Sequence, residues 1–308
     1  MKRNSIFFLL QVICVGFLSS TFAFSQSENL SKTVYLRVNV IDDKGRFIGG
    51  LKKENFTVKE DKIEQELSYF SDEDEPASVA ILLDISGSIK TSMRKSAVRS
   101  VLKFGQASNI LNDYSLIAFG EQIYPLTDWG STDKQILQVL EMLTIEKPKF
   151  QETNLWDACI YALSKLEKAK YQKRILLIYS DGMNNVHENS FKKVRERLKE
   201  SDALVYFVGL IDGKDQNSIM SFQGQSFLSA LSFISGGSGF FPQNQKEIDE
   251  ITERIALTIR RQYVIGYAPK ENTKKEKWRN VIVKSAALSE KGKKVSFSVI
   301  AREGYFVK

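Results

Sequence analysis

From residue 77 onward, the sequence alternates short apolar runs with amphipathic helical segments, and this alternation constrains the fold more than any other feature. Residues 78–83 and 174–179 are mainly apolar, as expected for strands that are covered on both faces. Between residues 93 and 104, apolar side chains recur every three or four positions, which is the period of a helix. Repeated strand–helix units predict an α/β fold with a doubly wound, mostly parallel sheet flanked by helices.

The two flanks of this region have the period of strands instead. Residues 34–40 alternate apolar and polar side chains, the pattern of a half-buried strand, and strand patterns return after Gln262. We expect residues 33–70 and 263–308 to pair as one small β domain. Because acidic residues concentrate in the early strands and basic residues in the late ones, this pairing would bring opposite charges together.

These patterns divide the chain into four segments. An acidic run at the end of the first strand region is predicted to be a boundary or linker. The α/β domain is then an insertion between two strand-rich ends. The predicted segments are a leader at residues 1–25, a β segment at 26–75, the α/β domain at 76–262 and a second β segment at 263–308.

The first residues have the order of a secretory signal peptide. Lys2 and Arg3 precede an apolar stretch at residues 6–18, and small residues follow. The stretch is short for a membrane span, so no transmembrane segment is expected after cleavage. The alternative is an uncleaved N-terminal anchor. We predict an exported protein, either periplasmic or secreted.

The cysteine content fits a fold held together by its core. Cleavage of the leader would remove Cys14 and leave Cys159, so no internal disulfide is expected. Cys159 lies in a helical pattern beside Ala158 and Ile160. A buried structural thiol is the predicted role, in preference to a nucleophile.

The formal net charge is +7 at pH 7, and basic residues concentrate near the C-terminus. A basic patch can bind nucleic acid or an anionic surface. No nucleic-acid-binding motif accompanies the charge, so a solvated turn between strands is the preferred interpretation and no nucleic-acid partner is predicted. The residues concerned are Lys270, Lys274, Lys275, Lys277, Arg279, Lys291, Lys293 and Lys294.

Oxygen-bearing side chains follow the first buried strand of the α/β region. Asp84, Ser86 and Ser88 alternate directly after it, so their side chains can converge on one side of a loop. Gly87 allows the tight turn. The strand should deliver this loop to the carboxyl edge of the sheet, where α/β folds place their ligands.

Two more loops are expected at the same edge. Thr153 lies at or near the start of a helix, and Asp181 follows the buried strand at residues 174–179. The three loops together supply carboxylate and hydroxyl oxygens, which hard cations such as Mg²⁺ prefer. The alternative is that these Ser, Thr and Asp residues merely cap helices.

This three-loop pattern resembles the von Willebrand factor type A family and its metal-ion-dependent adhesion site, over roughly residues 77–262. The matching residues are Asp84, Ser86 and Ser88, then Thr153, then Asp181. The resemblance implies a bound Mg²⁺, or Mn²⁺ or Ca²⁺, with the serines and threonine near the metal and the aspartates often acting through water. It also implies an adhesion-type module that coordinates an Asp or Glu carboxylate of a partner protein.

The flanks resemble bacterial exported proteins related to the same family. The resemblance rests on residues 38–51 and 56–61 and on the run Arg261-Gln262-Tyr263-Val264-Ile265-Gly266-Tyr267. The pattern departs from the family just before Thr153, where many members have glycine and this chain has Gln151-Glu152. Glu152 could raise the metal affinity or occupy the open coordination position. Asn154 and Gly87 are further possible modulators.

Two other functions compete with this expectation. A hydrolase would need a base, and the single histidine, His187, lies in a polar loop where a surface role is preferred. The chain lacks the Gly-x-Ser-x-Gly motif of a nucleophile elbow, so we expect no enzyme activity. An envelope scaffold with a purely structural metal is the second alternative.

Overall fold

The computed structural model describes residues 33–43, 45–145, 152–186, 190–210, 219–270, 278–286 and 297–307. The predicted leader, His187 and most of the predicted basic turn lie outside these ranges. In the described part of the chain, the strands are β1 (Val34–Asp42), β2 (Phe56–Glu60), β3 (Ile63–Gln65), β4 (Leu67–Ser71), β5 (Ala77–Asp84), β6 (Asp113–Phe119), β7 (Ile123–Pro125), β8 (Lys173–Ser180), β9 (Leu204–Gly209), β10 (Ser238–Phe240), β11 (Tyr263–Tyr267), β12 (Trp278–Ser285), β13 (Phe297–Ile300) and β14 (Gly304–Phe306). The α-helices are α1 (Thr91–Ala107), α2 (Asp133–Ile145), α3 (Leu155–Glu167), α4 (Phe191–Glu200), α5 (Ile219–Ser235) and α6 (Gln245–Arg260).

The central sheet has six strands in the order β10-β9-β8-β5-β6-β7. All neighbouring pairs are parallel except β6 and β7, which are antiparallel. Every residue of β5 is buried, as the apolar run in the sequence predicts. Because β5 and β8 lie side by side, the residues that follow them emerge at the same edge of the sheet.

Helices cover both faces of this sheet. One face packs against α1, α2 and α6 through a cluster that includes Phe104 and Ile255. The other packs against α3, α4 and α5 and includes Cys159, Leu198 and Leu228. The predicted doubly wound α/β fold is confirmed.

The two ends of the chain meet in antiparallel sheets. One has the order β13-β1-β11-β4 and the other the order β14-β12-β2-β3, so each combines N-terminal and C-terminal strands. Apolar side chains of both sheets share one core, including Leu36, Val58, Ile265 and Val281. The prediction that the flanks form an additional β structure is confirmed.

Some strand boundaries differ from those that the sequence predicts. Residues 63–70, whose sequence has the pattern of a single strand, are divided at Glu66, because β3 pairs with β2 while β4 pairs with β11 in the other sheet. The short strand β14 has no counterpart in the sequence prediction. Arg279, counted from sequence among the basic turn residues, is 2% exposed and bonds the carboxylates of Glu60 and Asp61. Opposite charges of early and late strands therefore do meet, but in the interior.

The acidic run before β5 is tightly held to neighbouring elements. Glu75 forms an ion pair with Arg37 of β1, and Asp74 forms one with Arg260 at the end of α6. The Tyr206 hydroxyl of β9 accepts a hydrogen bond from the Asn39 side chain of β1 at 3.3 Å. The β sheets and the α/β layers lie within one compact unit, residues 33–308.

No helix among the residues with described structure is long and apolar enough to span a membrane.

Candidate functional site

Asp84 lies at the centre of the candidate site, at the carboxyl end of β5. Its side chain is held from two directions. Oδ1 accepts hydrogen bonds from the Ser86 N–H at 3.0 Å and the Ser86 hydroxyl at 2.6 Å. Oδ2 accepts from the Ser180 hydroxyl, also at 2.6 Å. The carboxylate is therefore fixed in orientation, and Asp84 is only 2% exposed.

The second serine of the loop connects Asp84 to Asp181. The hydroxyl oxygens of Ser86 and Ser88 are 3.1 Å apart, and Ser88 bonds the side chain of Asp181. Asp181 follows β8 directly and accepts a hydrogen bond from the Met183 N–H at 2.9 Å. The structure thus brings Asp84, Ser86, Ser88 and Asp181 into one contiguous cluster.

Thr153 belongs to the loop that precedes α3 and is 2% exposed. Its N–H donates to the side chain of Asn185 at 2.5 Å, and its carbonyl accepts from the N–H groups of Asn185 and Val186. The Asn184 side chain accepts from the Trp156 N–H at 3.0 Å. The segment after Asp181 therefore ties the Thr153 loop to the same edge of the sheet.

The electrostatics of the cluster are those of two carboxylates that share a buried space. Burial, and next the charge of Asp181, raise the pKa of Asp84 to about 7. Burial also raises the pKa of Asp181. The groups found in contact with these carboxylates, within the described residues, are hydroxyls and backbone N–H groups. A divalent cation would relieve the repulsion between the two negative charges.

The donor set suits a hard cation. It consists of carboxylate and hydroxyl oxygens, and it keeps the number of charged ligands small. Nearby, Asn154 Oδ1 is buried without a hydrogen-bond partner, while its Nδ2 donates to Asp157 at 2.9 Å. A buried acceptor of this kind suits a bound water. Two of the candidate ligands are carboxylates and the rest are hydroxyls, and among the described residues no three or more His, Cys, Asp or Glu side chains come together as a metal site.

The helix-capping alternative does not explain these side chains. The residue at the N-cap of α1 is Lys90, and no side-chain bond caps this helix. The N-cap of α3 is Asn154, again without a side-chain cap bond. The hydroxyls of Ser86 and Ser88 are directed to the aspartates, so capping is not their role here.

Glu152 and Gly87, named from sequence as possible modulators, are both exposed. The contacts found for the cluster in the described ranges do not include the Glu152 carboxylate.

Sequence reasoning missed Ser180, Asn184 and Asn185. Ser180 contacts Asp84 across two neighbouring strands, and the two asparagines bridge to the Thr153 loop. The adjacency of Ser180 to Asp181 was the available signal for the first. The asparagines form contacts 28 and 32 residues away in the chain, which local spacing does not reveal.

Residues 79–184 match the sequence model of the von Willebrand factor type A domain. The resemblance inferred from the three loops is therefore confirmed for residues 79–184. Domains of this type often mediate protein interactions.

Three solved structures illustrate what the chain is similar to. An aerotolerance-related membrane protein from Bacteroides fragilis is 17% identical with a TM-score of 0.46, and the match covers 59% of this chain and 98% of that one. BatB from Bacteroides thetaiotaomicron is 14% identical with a TM-score of 0.45, covering 60% of this chain and 98% of that one. The PilB minor pilin from Streptococcus sanguinis is 13% identical with a TM-score of 0.48, covering 61% of this chain and 62% of the pilin. No curated protein matched the sequence.

Proposed function

We propose that this protein is an exported, non-enzymatic binding module that holds one divalent cation and uses it to grip an acidic group of a partner protein. The supporting observation is the convergence of Asp84 and Asp181, with their serine hydroxyls, at the carboxyl edge of the sheet. The proposed ligands are Asp84, Ser86, Ser88, Thr153 and Asp181. Mg²⁺ is the preferred ion, with Mn²⁺ or Ca²⁺ as substitutes.

A bound ion would supply a positive centre that a partner's Asp or Glu carboxylate can complete. The residues of this chain prepare that role in two ways. Ser86 and Ser180 fix both oxygens of Asp84, so little reorganisation is needed. The hydroxyl ligands are neutral, so they leave positive charge for the partner to neutralise.

Metal binding by the purified protein is the first test. Isothermal titration of residues 26–308 with Mg²⁺ and Mn²⁺ should show one site, and Asp84→Ala should abolish it. Asp128→Ala is the control, because Asp128 is exposed and pairs with Lys165. Equal binding by the wild type and Asp84→Ala would refute the assignment.

Partner capture tests the rest of the proposal. Proteins should be recovered from the native envelope or medium with the metal-loaded wild type, and lost with EDTA. Ser86→Ala, Thr153→Ala and Asp181→Ala should lose the captured partner while keeping their far-UV circular dichroism. Changing the partner's contact carboxylate to the amide should have the same effect.

The alternatives give different results in the same experiment. A scaffold with a purely structural metal would keep its partner after chelation. A hydrolase would show turnover that depends on His187. If Glu152 competes for the open position, Glu152→Gly should strengthen partner binding. Capture by EDTA-treated protein as tight as by the metal-loaded form would contradict the adhesion mechanism.

A further inference from the structure

At Gly224, the backbone of helix α5 lies directly against the backbone of the site loop at Asp181 and Gly182. A Cβ atom built on Gly224 of α5 would lie 2.8 Å from the carbonyl carbon and oxygen of Gly182, and 2.9 Å from the carbonyl oxygen of Asp181. A Cβ atom on Gly182 would lie 2.7 Å from the carbonyl carbon and oxygen of Gly224. Real Cβ atoms essentially never make such contacts, so each position excludes even alanine in this packing.

The two glycines have different reasons for being glycine. Gly182 has φ +81°, a conformation that L side chains rarely adopt. Gly224 lies inside a helix, where glycine is the least favourable residue after proline. Gly224 is not among the described residues with positive φ, so its backbone would accept a side chain. The close approach to Asp181 and Gly182 is therefore what requires glycine at residue 224.

Other contacts prevent α5 from moving away. Phe227 packs against Phe191 with ring centroids 4.7 Å apart, and against Trp156 at 5.6 Å. Leu228 and Leu231 are buried in the core between the sheet and this layer of helices. Because α5 is fixed one turn after Gly224, a methyl group at residue 224 would displace the Asp181-Gly182 peptide.

We infer that Gly224 is a positioning residue for the site. Its backbone contact fixes the position of the Asp181-Gly182 peptide, and therefore of the Asp181 side chain, at the edge of the sheet. This inference rests on the proposed metal site. The residue acts through Asp181, whose side chain is bonded by Ser88 and by the Met183 N–H. Displacing the peptide would separate Asp181 from Ser88, and hence from Asp84.

A matched pair of glycine substitutions tests the inference. Gly224→Ala should lower Mn²⁺ affinity at least tenfold in isothermal titration, while circular dichroism in EDTA shows a folded protein. Gly105→Ala is the control, because Gly105 also lies within a helix, α1, and a Cβ there meets nothing within 4 Å. Gly105→Ala should bind Mn²⁺ as the wild type does. Wild-type affinity in Gly224→Ala would overturn the inference and leave the proposed function intact.

A measurement on the wild type covers the case in which Gly224→Ala does not fold. In amide NMR spectra, Mg²⁺ should shift the signals of Gly182 and Gly224 and leave that of Gly105 unchanged. An unshifted Gly224 signal together with a shifted Gly182 signal would overturn the inference. Failure of the wild type to bind any divalent ion would instead refute the proposed function, and the inference with it.

Discussion

Two buried basic residues, Arg279 and Lys173, are accommodated in different ways. Arg279 donates to Glu60 at 2.8 and 2.7 Å and to Asp61 at 3.1 Å. The other oxygen of Glu60 accepts hydrogen bonds from two tyrosine hydroxyls at 2.7 Å, so this ion pair is well satisfied. Lys173, 2% exposed, donates to the Glu75 carbonyl at 3.3 Å, a long bond. Burial, and next the charge of Arg37, lower the pKa of Lys173 to about 8.

The lowered pKa predicts that Lys173 destabilises the fold at neutral pH. The unfolded chain keeps this proton up to a pKa of 10.5, whereas the folded chain releases it near 8. Between these values the unfolded state binds more protons, so the contribution of Lys173 to stability rises with pH. Well below pH 8, Lys173 is charged in both states, so the full cost of burying its charge lowers the free energy of unfolding. We expect Lys173→Met to raise the free energy of unfolding by up to roughly 3 kcal/mol at pH 7.

Urea unfolding of wild type and Lys173→Met at pH 7 and pH 10 measures this effect. The difference between the two proteins should shrink as the pH rises through the window. Lys246→Met is the control, because Lys246 is 85% exposed and its substitution should change the free energy of unfolding by only a few tenths of a kcal/mol. A difference that is the same at both pH values would contradict the prediction.

At the scale of elements, α1 and α6 begin differently. The Asn244 side chain caps α6 by accepting from the Glu247 N–H at 3.0 Å, and Glu247 in turn accepts from the Asn244 side chain at 2.8 Å. Helix α1 has no side-chain cap, since the serines before it bond the site aspartates instead. The hydroxyls are thus used for the site rather than for the stability of the helix.

The cap predicts the effect of substitution at the start of α6. Asn244→Ala should lower the free energy of unfolding by about 1 kcal/mol, because it removes the bonds of this side chain to the Glu247 N–H and the Glu247 carboxylate. Asn244→Ser is the control, because serine is also a good N-cap, and it should change the free energy of unfolding by only a few tenths of a kcal/mol. Urea unfolding at pH 7 measures both. An effect of Asn244→Ser as large as that of Asn244→Ala would contradict this account.

At the scale of the whole molecule, β11 joins the two parts of the fold. Only Arg261 and Gln262 separate α6 from β11, which lies between β1 and β4 in its sheet. The side chain of Gln262 donates to Tyr206 of the central sheet at 3.1 Å. The acidic segment between β4 and β5 is bonded to β1 and α6. Two chain connections, from α6 to β11 and from β4 to β5, therefore join the central sheet to the β sheets, and each is reinforced by polar contacts.

Removing the C-terminal strands should therefore damage the molecule more than its length suggests. A chain of residues 33–262 would lack β11, β12, β13 and β14 and expose the buried faces of β1 and β2, including Leu36, Val38 and Val58. Unpaired edges with apolar faces promote aggregation. Light scattering should show aggregation of this chain, while residues 33–308 remain soluble. A soluble, folded 33–262 chain would show that the C-terminal strands are dispensable.

Much of the fold and part of the site could be predicted from local sequence. Strand and helix periods identified the α/β layers, because burial on one or both faces fixes the spacing of apolar residues. Asp84, Ser86 and Ser88 were recognisable because they lie within five consecutive residues after a buried strand. Asp181 followed from the same rule applied to β8. The division of residues 63–70 between two sheets could not be read in this way, since each half has an ordinary strand pattern.

The sequence by itself determined most of the strands and helices, and which oxygen-bearing side chains follow the buried strands of the sheet. Only the tertiary structure decided the bond from Ser180 to Asp84, the pairing of Arg279 with Glu60, and the contact of Gly224 with Gly182. The physical reason is distance along the chain. Periodicity records how each segment is buried, whereas these contacts join residues 42 to 219 positions apart and depend on how layers pack.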